Sequence, residues 1–430
     1  MDKIKKILIA TEIRFWQNNT GAKKRIFSLY NYLKKNGFKL AFFYVGPFDH
    51  NDKTILANNF NDIEIYHSYK EKRTILSLLK YILKIILPIN FQDFLHYKIE
   101  KKIIRRIKII SYRLRSLNKS VDEPVKKNIN SFFSLENKNY FDTICENIKP
   151  DFIIAECIMV AYLIEGIKEK LGYQVVTLID TLDIFFLRVK KFKSLSIPFI
   201  IDITEEQEKN ILEKFDIIIG IQKQESEFLR KLLPNKKIIT ASYNTTLNKN
   251  AFKNDSRVNI TFIAAAGVHN VYSIEKFIND VWISLYKKYK DKISLRIIGD
   301  VCKFIDIPSK VKGIVLHGTV ENLDTIYKYS DIIINPIAAG TGLKIKNVEA
   351  LSNKKPLVTT SVGAEGLEEG INSAFFVCDT PEDTIKKLSE LIENPKLRDE
   401  MCDKAYKFAL ENFSEEKVYG ELYQELIKDF

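Results

Sequence analysis

The stretch SDIIINPIAAGTGLKIKNVEALSNKKPLVTTS, residues 330–361, contains one complete folding unit. Residues 331–335 form a short apolar run that reads as a buried strand. A loop with Gly340 and Gly342 follows, and from Leu343 the apolar residues fall at helical spacing. Residues 356–359 read as the next strand. Strand, loop, helix and strand in this order predict a parallel βαβ unit. The glycine loop then lies at the carboxyl end of a strand and opens a helix.

The same grammar runs outward in both directions. Toward the N-terminus, IKKILIA is a strand, and AKKRIFSLYNYLKKNG is a helix closed by Gly37. FKLAFFYVG is the strand that follows. Further strands are expected at DFIIAEC, QVVTLID, FDIIIGI and KKIITAS, with helices between them. DITEEQEKNILEKF is acid-rich in its first turn, as a helix start should be. The polar run at 243–257 lacks apolar periodicity and is the expected boundary between two domains. A second series follows it: NITFIAAAG, ISLRIIGD, GIVLHGTV, SDIIINP, KPLVTTS and AFFVCD. The tail after 380 is helical in pattern. The expected fold is α/β, with two Rossmann-like doubly wound domains facing across a cleft. Residues 1–245 would form the first domain and 246–430 the second, with the final helix a candidate for crossing back to the first.

Composition narrows the function classes. A chain of 430 residues with 46% hydrophobic content suits two domains of ordinary size. Five cysteines, an odd number without metal-ligand spacing, read as free thiols in a reducing compartment. No run of apolar residues is long enough for a membrane-spanning helix, and the N-terminal apolar run is too brief for a signal peptide. The net charge of +12 is local: residues 70–119 carry fourteen cations against three acids. This stretch reads as basic amphipathic helices inserted into the first domain at about 70–120. Two readings stand for it: helices packed on the domain with their cations in water, or a dock for an anionic membrane surface. No helix-turn-helix, RNA-binding or zinc motif accompanies it, so nucleic acid is not an expected partner.

The loops at the predicted strand ends carry the candidate chemistry. Gly340 and Gly342 allow backbone amides to approach an anion, and the helix start adds unpaired N–H groups. Lys344 and Lys346 put two cations on the first turn, where they disfavour the helix itself and need an anionic partner such as a diphosphate. Glu349 stands at the edge of the apolar face, and sugar hydroxyls are donors that would make its burial tolerable. Gly267 in AAAGVHN and the glycines of TTSVGAEGLEEG give two more strand-end loops suited to close backbone approach. His269 is a further polar group there. No Asp-x-Asp pair of the kind that holds a divalent ion is present in the chain.

The segment from GIVLHGTVENLDTIYKYSDIIINP through TTSVGAEGLEEG resembles the donor-binding half of GT-B glycosyltransferases, in particular glycosyltransferase family 4. The likeness extends more loosely to TLIDTLDIFFLRVKKF, EEQEKNILEKFDIIIGIQKQESEFL and the first βαβ unit. It implies a nucleotide-diphosphate sugar as co-substrate, transfer with retention of configuration, and no bound metal or other cofactor. Carried over by position, Lys344 or Lys346 would neutralise the diphosphate and Glu349 would bind the ribose. Gly363, Ala364, Glu365 and Gly366 would line the same pocket, with Gly21 facing it from the first domain. Thr341 stands where many members have the first of two glutamates, and Leu182 where many have a histidine. Asp183 then remains as the polar group near the transferred sugar, and with Lys344 it is the candidate catalytic pair. The acceptor expected is a growing surface glycan or a lipid-linked glycan, at the cytoplasmic face of the membrane. A catalytically silent homologue and a nucleotide-sugar epimerase are the alternative readings.

Overall fold

The structure is a computed structural model that describes residues 4–17, 21–46, 48–60, 63–67, 127–194, 201–245, 247, 257–320, 322–340 and 342–428. The basic stretch at 70–119, Thr341 and most of the polar run at 243–257 lie outside the described residues.

The first half builds a seven-stranded sheet. Its strands are β1 (Lys6–Thr11), β2 (Lys39–Tyr44), β3 (Glu64–His67), β5 (Phe152–Glu156), β6 (Val176–Asp180), β8 (Ile217–Gly220) and β9 (Lys237–Thr240). A separate short pair joins β4 (Lys127–Asn128) to β7 (Ile201–Asp202). The large sheet runs in the order β3-β2-β1-β5-β6-β8-β9, and the paired strands are parallel. Its helices are α1 (Gly21–Lys35), α2 (His50–Asn59), α3 (Leu135–Ile148), α4 (Ile167–Leu171), α5 (Phe185–Ser194), α6 (Glu205–Leu212) and α7 (Lys223–Leu232). Every residue of β5, β6 and β8 is buried. Helices on both faces of the sheet leave no solvent side, which is why these strands read as unbroken apolar runs. α6 begins with a capping box between Thr204 and Gln207, in keeping with its acid-rich first turn.

The second half repeats the design with six strands. They are β10 (Val258–Ile263), β11 (Ile293–Ile298), β12 (Ile314–Gly318), β13 (Ile332–Asn335), β14 (Leu357–Thr359) and β15 (Phe376–Val377). Their order is β12-β11-β10-β13-β14-β15, again with parallel pairing. The helices are α8 (Val268–Phe277), α9 (Ile283–Tyr289), α10 (Leu323–Lys328), α11 (Ile345–Ser352), α12 (Pro381–Glu393), α13 (Pro395–Phe413) and α14 (Glu415–Ile427). Both sheets reverse direction of growth beside their first strand, between β1 and β5 and between β10 and β13. Ligands of open α/β sheets bind at the carboxyl ends of the strands at such a reversal. The expected doubly wound, two-sheet α/β architecture is what the chain adopts.

Three local features depart from the sequence reading. The helix of the opening stretch starts at Ile345, with Lys344 as its N-cap, and not at Leu343. Gly340 at φ 147° and Gly342 at φ 72° hold the backbone outside the helical region, and Lys344 is extended with ψ 90°. The edge strand β3 carries too weak an apolar pattern to be read from sequence. The spacing of SIEKFINDVWISLYKKYKD predicts one helix over 273–291, and the structure interrupts it with a π-turn at Ile278–Trp282.

α14 leaves the second half and packs on the first. Val418, Tyr419, Leu422 and Leu426 are buried in the same apolar cluster as Ile7, Ile9, Leu29 and Leu33. Tyr419 Oη lies 3.0 Å from Ser28 Oγ, and Glu415 pairs with Lys35 at 2.8 Å. Among the described residues, no helix is long and apolar enough to cross a membrane.

Candidate functional site

The loop between β13 and α11 can take its path only because of its glycines: φ values of 147° and 72° lie in the region that L side chains avoid. The path turns Lys344 back over the loop. Its Nζ donates to Gly342 O at 2.5 Å and pairs with Glu365 Oε2 at 3.3 Å. Burial disfavours the ammonium and pulls Lys344 below the usual lysine range, while Glu365 opposes that shift. Lys346 diverges from Lys344 and pairs with Glu349 Oε2 at 2.7 Å. Glu349 is 5% exposed and pairs with a second cation, Lys24 of α1, from across the cleft. Tyr327 Oη donates to its Oε2 at 3.4 Å. Burial alone would raise the Glu349 pKa, but Lys346 and Lys24 together hold it below the usual carboxylate range.

The next strand-end loop is fastened by a residue that the motif reading omitted. Asn347 is fully buried on α11. Its Nδ2 donates to Gly363 O at 2.8 Å and to Thr359 Oγ1 at 3.3 Å, while its Oδ1 accepts from Asn335 Nδ2 at 2.8 Å. One amide therefore ties α11 to the ends of β13 and β14. A polar residue one turn from Leu343 and from Leu351 on a predicted helix was the signal available for it. At Gly363 a Cβ would lie 1.9 Å from Thr359 Oγ1, so only glycine fits. Ala364 is buried beside it. Glu365 meets Lys191 of α5 as well as Lys344. Gly366 has φ 81°, and a Cβ there would sit 2.2 Å from Gln222 Oε1 of the first half.

The first half supplies the facing wall. Gly21 opens α1, and a Cβ on it would come within 3.1 Å of Ile345 Cδ1. Leu182 adopts φ 56°, a strained conformation for a bulky residue, and Asp183 follows it. Asp183 Oδ2 pairs with Arg188 Nη1 at 2.9 Å. Gly267 is the N-cap of α8, and the ring of His269 packs where its Cβ would be, 2.8 Å away at Cε1. Burial, with Arg188 and Lys344 adding, pushes His269 down to about 4, so its ring is neutral. Glu225 of α7 is buried against Asp183 and Lys344, and it is pushed up to about 8 by burial, with Asp183 adding and Lys344 opposing.

The structure thus brings Asp183, Gly342, Lys344, Glu365 and Gly366 to one part of the cleft. Gly21, Lys346 and Glu349 lie at a neighbouring part, Gly363 and Ala364 line the β14 loop, and Gly267 lies beside His269. Lys24, Lys191, Gln222 and Glu225 were not singled out from the sequence. They act across the cleft, and nothing in their local spacing marks a partner more than a hundred positions away.

Residues 257–394 match the family described as "Glycosyl transferases group 1". A protein of Klebsiella pneumoniae, described as an uncharacterised 44.6 kDa protein in the cps region, is 26% identical over 231 residues, covering 50% of this chain and 58% of that protein. An uncharacterised glycosyltransferase of Methanocaldococcus jannaschii is 27% identical over 245 residues, covering 51% of this chain and 61% of the relative. The matches thus span less than two thirds of each curated relative. Among solved structures, Anabaena HepE in complex with UDP and glucose superimposes with a TM-score of 0.62 at 10% identity, covering 98% and 99% of the two chains. A glycosyltransferase of Rickettsia africae gives 0.63 at 13% identity, covering 99% and 100%. The two facing Rossmann-like sheets and these structural likenesses identify the architecture as GT-B.

Proposed function

We propose that this chain is a glycosyltransferase that moves a sugar, of the hexosyl type, from a nucleoside-diphosphate donor to a glycan or lipid-linked acceptor. We assign it to glycosyltransferase family 4, with retention of anomeric configuration. The observation that carries the reading is Lys344 folded over the Gly340 and Gly342 loop, with the Lys346–Glu349 pair on the helix that follows, at the strand reversal of the second sheet. The match over residues 257–394 and the UDP-bound neighbour support it.

In this reading Lys344, Lys346 and the first turn of α11 face the diphosphate. Breaking the anomeric C–O bond increases negative charge on that group, and fixed cations in a water-poor cleft stabilise it. The lysines and the helix start supply this counter-charge, so the reading calls on no metal. Glu349 accepts hydrogen bonds from the ribose hydroxyls, in place of part of its present pairing with Lys24 and Lys346. Asp183 lies on the sugar side of Lys344. The leaving phosphate takes the acceptor proton; His269, pushed down to about 4 chiefly by burial, is too weak a base to compete for it. The basic residues at 70–119 would hold the enzyme at the cytoplasmic face of an anionic membrane, where a lipid-linked acceptor lies.

Calorimetry with UDP, GDP and ADP tests the reading. Lys344→Ala with Lys346→Ala should weaken the nucleotide that binds at least tenfold. Glu349→Ala should weaken that nucleotide but not inorganic pyrophosphate. Unchanged affinity in the double lysine variant would remove the diphosphate assignment.

A further inference from the structure

α7 starts at the carboxyl end of β8 and presents its first turn to the cleft. Its N-cap, Gln222, makes no side-chain capping bond. Gln222 and Glu225 are 8% and 7% exposed. Gln222 Oε1 and Glu225 Oε2 are buried and find no hydrogen-bond partner among the described residues. Buried acceptors without donors are costly and are rarely kept without a use.

Both side chains face glycine loops of the second half. A Cβ on Gly366 would lie 2.2 Å from Gln222 Oε1, and a Cβ on Gly342 would lie 3.7 Å from Glu225 Oε1 and 3.9 Å from Asp183 Oδ1. With φ of 81° and 72°, these loops present backbone, not side chains, to the two residues. Lys344 Nζ is anchored on Gly342 O in the same place. The Glu225 carboxyl therefore lies beside the cation assigned to the diphosphate, and the Gln222 amide oxygen lies against the neighbouring loop at Gly366. Burial pushes Glu225 up to about 8, so near neutral pH its carboxyl is mostly protonated and can donate as well as accept. A neutral acid and an amide suit a neutral polyol, not an anion.

We propose that Gln222 and Glu225 form a sugar-hydroxyl subsite, hydrogen-bonding the sugar that the donor carries on its diphosphate. This inference rests on the nucleotide-sugar reading above. Hydroxyl groups bring the donors that the two oxygens lack. A purely bracing role would need partners within the chain, and these two atoms have none among the described residues.

The test compares bare nucleotides with nucleotide sugars on the full chain. The probes are UDP, GDP and ADP, with UDP-glucose, UDP-N-acetylglucosamine, GDP-mannose and ADP-glucose, measured by calorimetry without acceptor. Gln222→Met combined with Glu225→Met keeps the shape of both side chains and removes both oxygens. The expected result is a nucleoside-diphosphate Kd within twofold of the wild type and a nucleotide-sugar Kd at least tenfold weaker. Glu225→Gln, which keeps an acceptor, should lose no more than about threefold. Unfolding midpoints of the variants should equal or exceed that of the wild type. Equal loss for bare nucleotide and nucleotide sugar, unchanged nucleotide-sugar affinity in the double variant, or lowered unfolding midpoints would each overturn the subsite. A wild-type chain that binds none of the nucleoside diphosphates would overturn the nucleotide reading itself, and the subsite with it.

Discussion

Glu349 and Glu225 are acids buried in the same cleft, yet their surroundings drive their protons in opposite directions. Burial raises both pKa values; Lys346 and Lys24 then outweigh it and hold Glu349 ionised, whereas at Glu225 burial, with Asp183 adding to it and Lys344 opposing, pushes the carboxyl up to about 8. Two buried carboxyls of one cleft thus differ through the charges set beside them. The Glu225 shift makes a pH prediction. The folded chain keeps a proton on Glu225 that the unfolded chain releases above about 4.5, so stability falls as pH rises from there to about 8. The fall from this one group is about 1.4 kcal/mol per pH unit inside that window. In Glu225→Gln that part of the slope should vanish, so its advantage over the wild type should grow from pH 5 to pH 8. Denaturant melts at pH 5, 6.5 and 8 read this, and parallel profiles would show Glu225 to be ionised in the fold. Glu349 is legible in the sequence because it interrupts an apolar face. Glu225 is not, because its local setting on an amphipathic helix is ordinary.

α11 shows how one element serves two ends. Its apolar side chains, among them Val348 and Leu351, are fully buried in the core of the second half. Its N-terminal turn and Glu349 face the cleft. Asn347 lies between these tasks and holds the loop at Gly363 against the ends of β13 and β14. Asn347→Ala should leave Gly363 O and Asn335 Nδ2 without their partner. The cost expected is about 1–3 kcal/mol of unfolding free energy. Nucleoside-diphosphate affinity should fall as well, because the β14 loop loses its anchor. Urea denaturation and calorimetry on the same variant check both, and an unchanged unfolding midpoint would contradict the anchoring role. The glycine loops could be read in sequence because a strand end followed by glycine is a local pattern. The Asn347 network could not, since its partners come from two other strand ends that only the sheet brings together.

At the scale of the molecule, the two halves are joined by ion pairs over the cleft and by one returning helix. Lys24–Glu349, Lys191–Glu365 and Lys223–Glu369 cross the cleft. The last of these is well exposed on both sides and contributes little. α14 contributes far more, because Leu422 and Leu426 are fully buried against the first sheet. Leu422→Ala should destabilise the first half by about 2–5 kcal/mol through lost burial and the cavity left behind. The two tryptophans, Trp16 and Trp282, are buried one in each half and can report separately. In single-tryptophan variants, the Trp16 transition should move to lower urea more than the Trp282 transition. Equal shifts would show that the halves unfold as one unit.

The sequence by itself determined the α/β class, the doubly wound βαβ repeats and the strand-end glycine loops. Each follows from short-range periodicity and from the backbone freedom of glycine, which a linear string records. It also marked Lys344, Lys346 and Glu349, because cations at a helix start and an acid on an apolar face conflict with local rules. Only the tertiary structure decided which groups meet. It separated Lys344 from Lys346, put Lys24 on Glu349 and Lys191 on Glu365, and turned Gln222 and Glu225 toward the glycine loops. It also laid α14 on the first sheet. These pairings join residues from more than one hundred to more than three hundred positions apart. They depend on sheet order and on how the two halves face each other, quantities that no local spacing encodes.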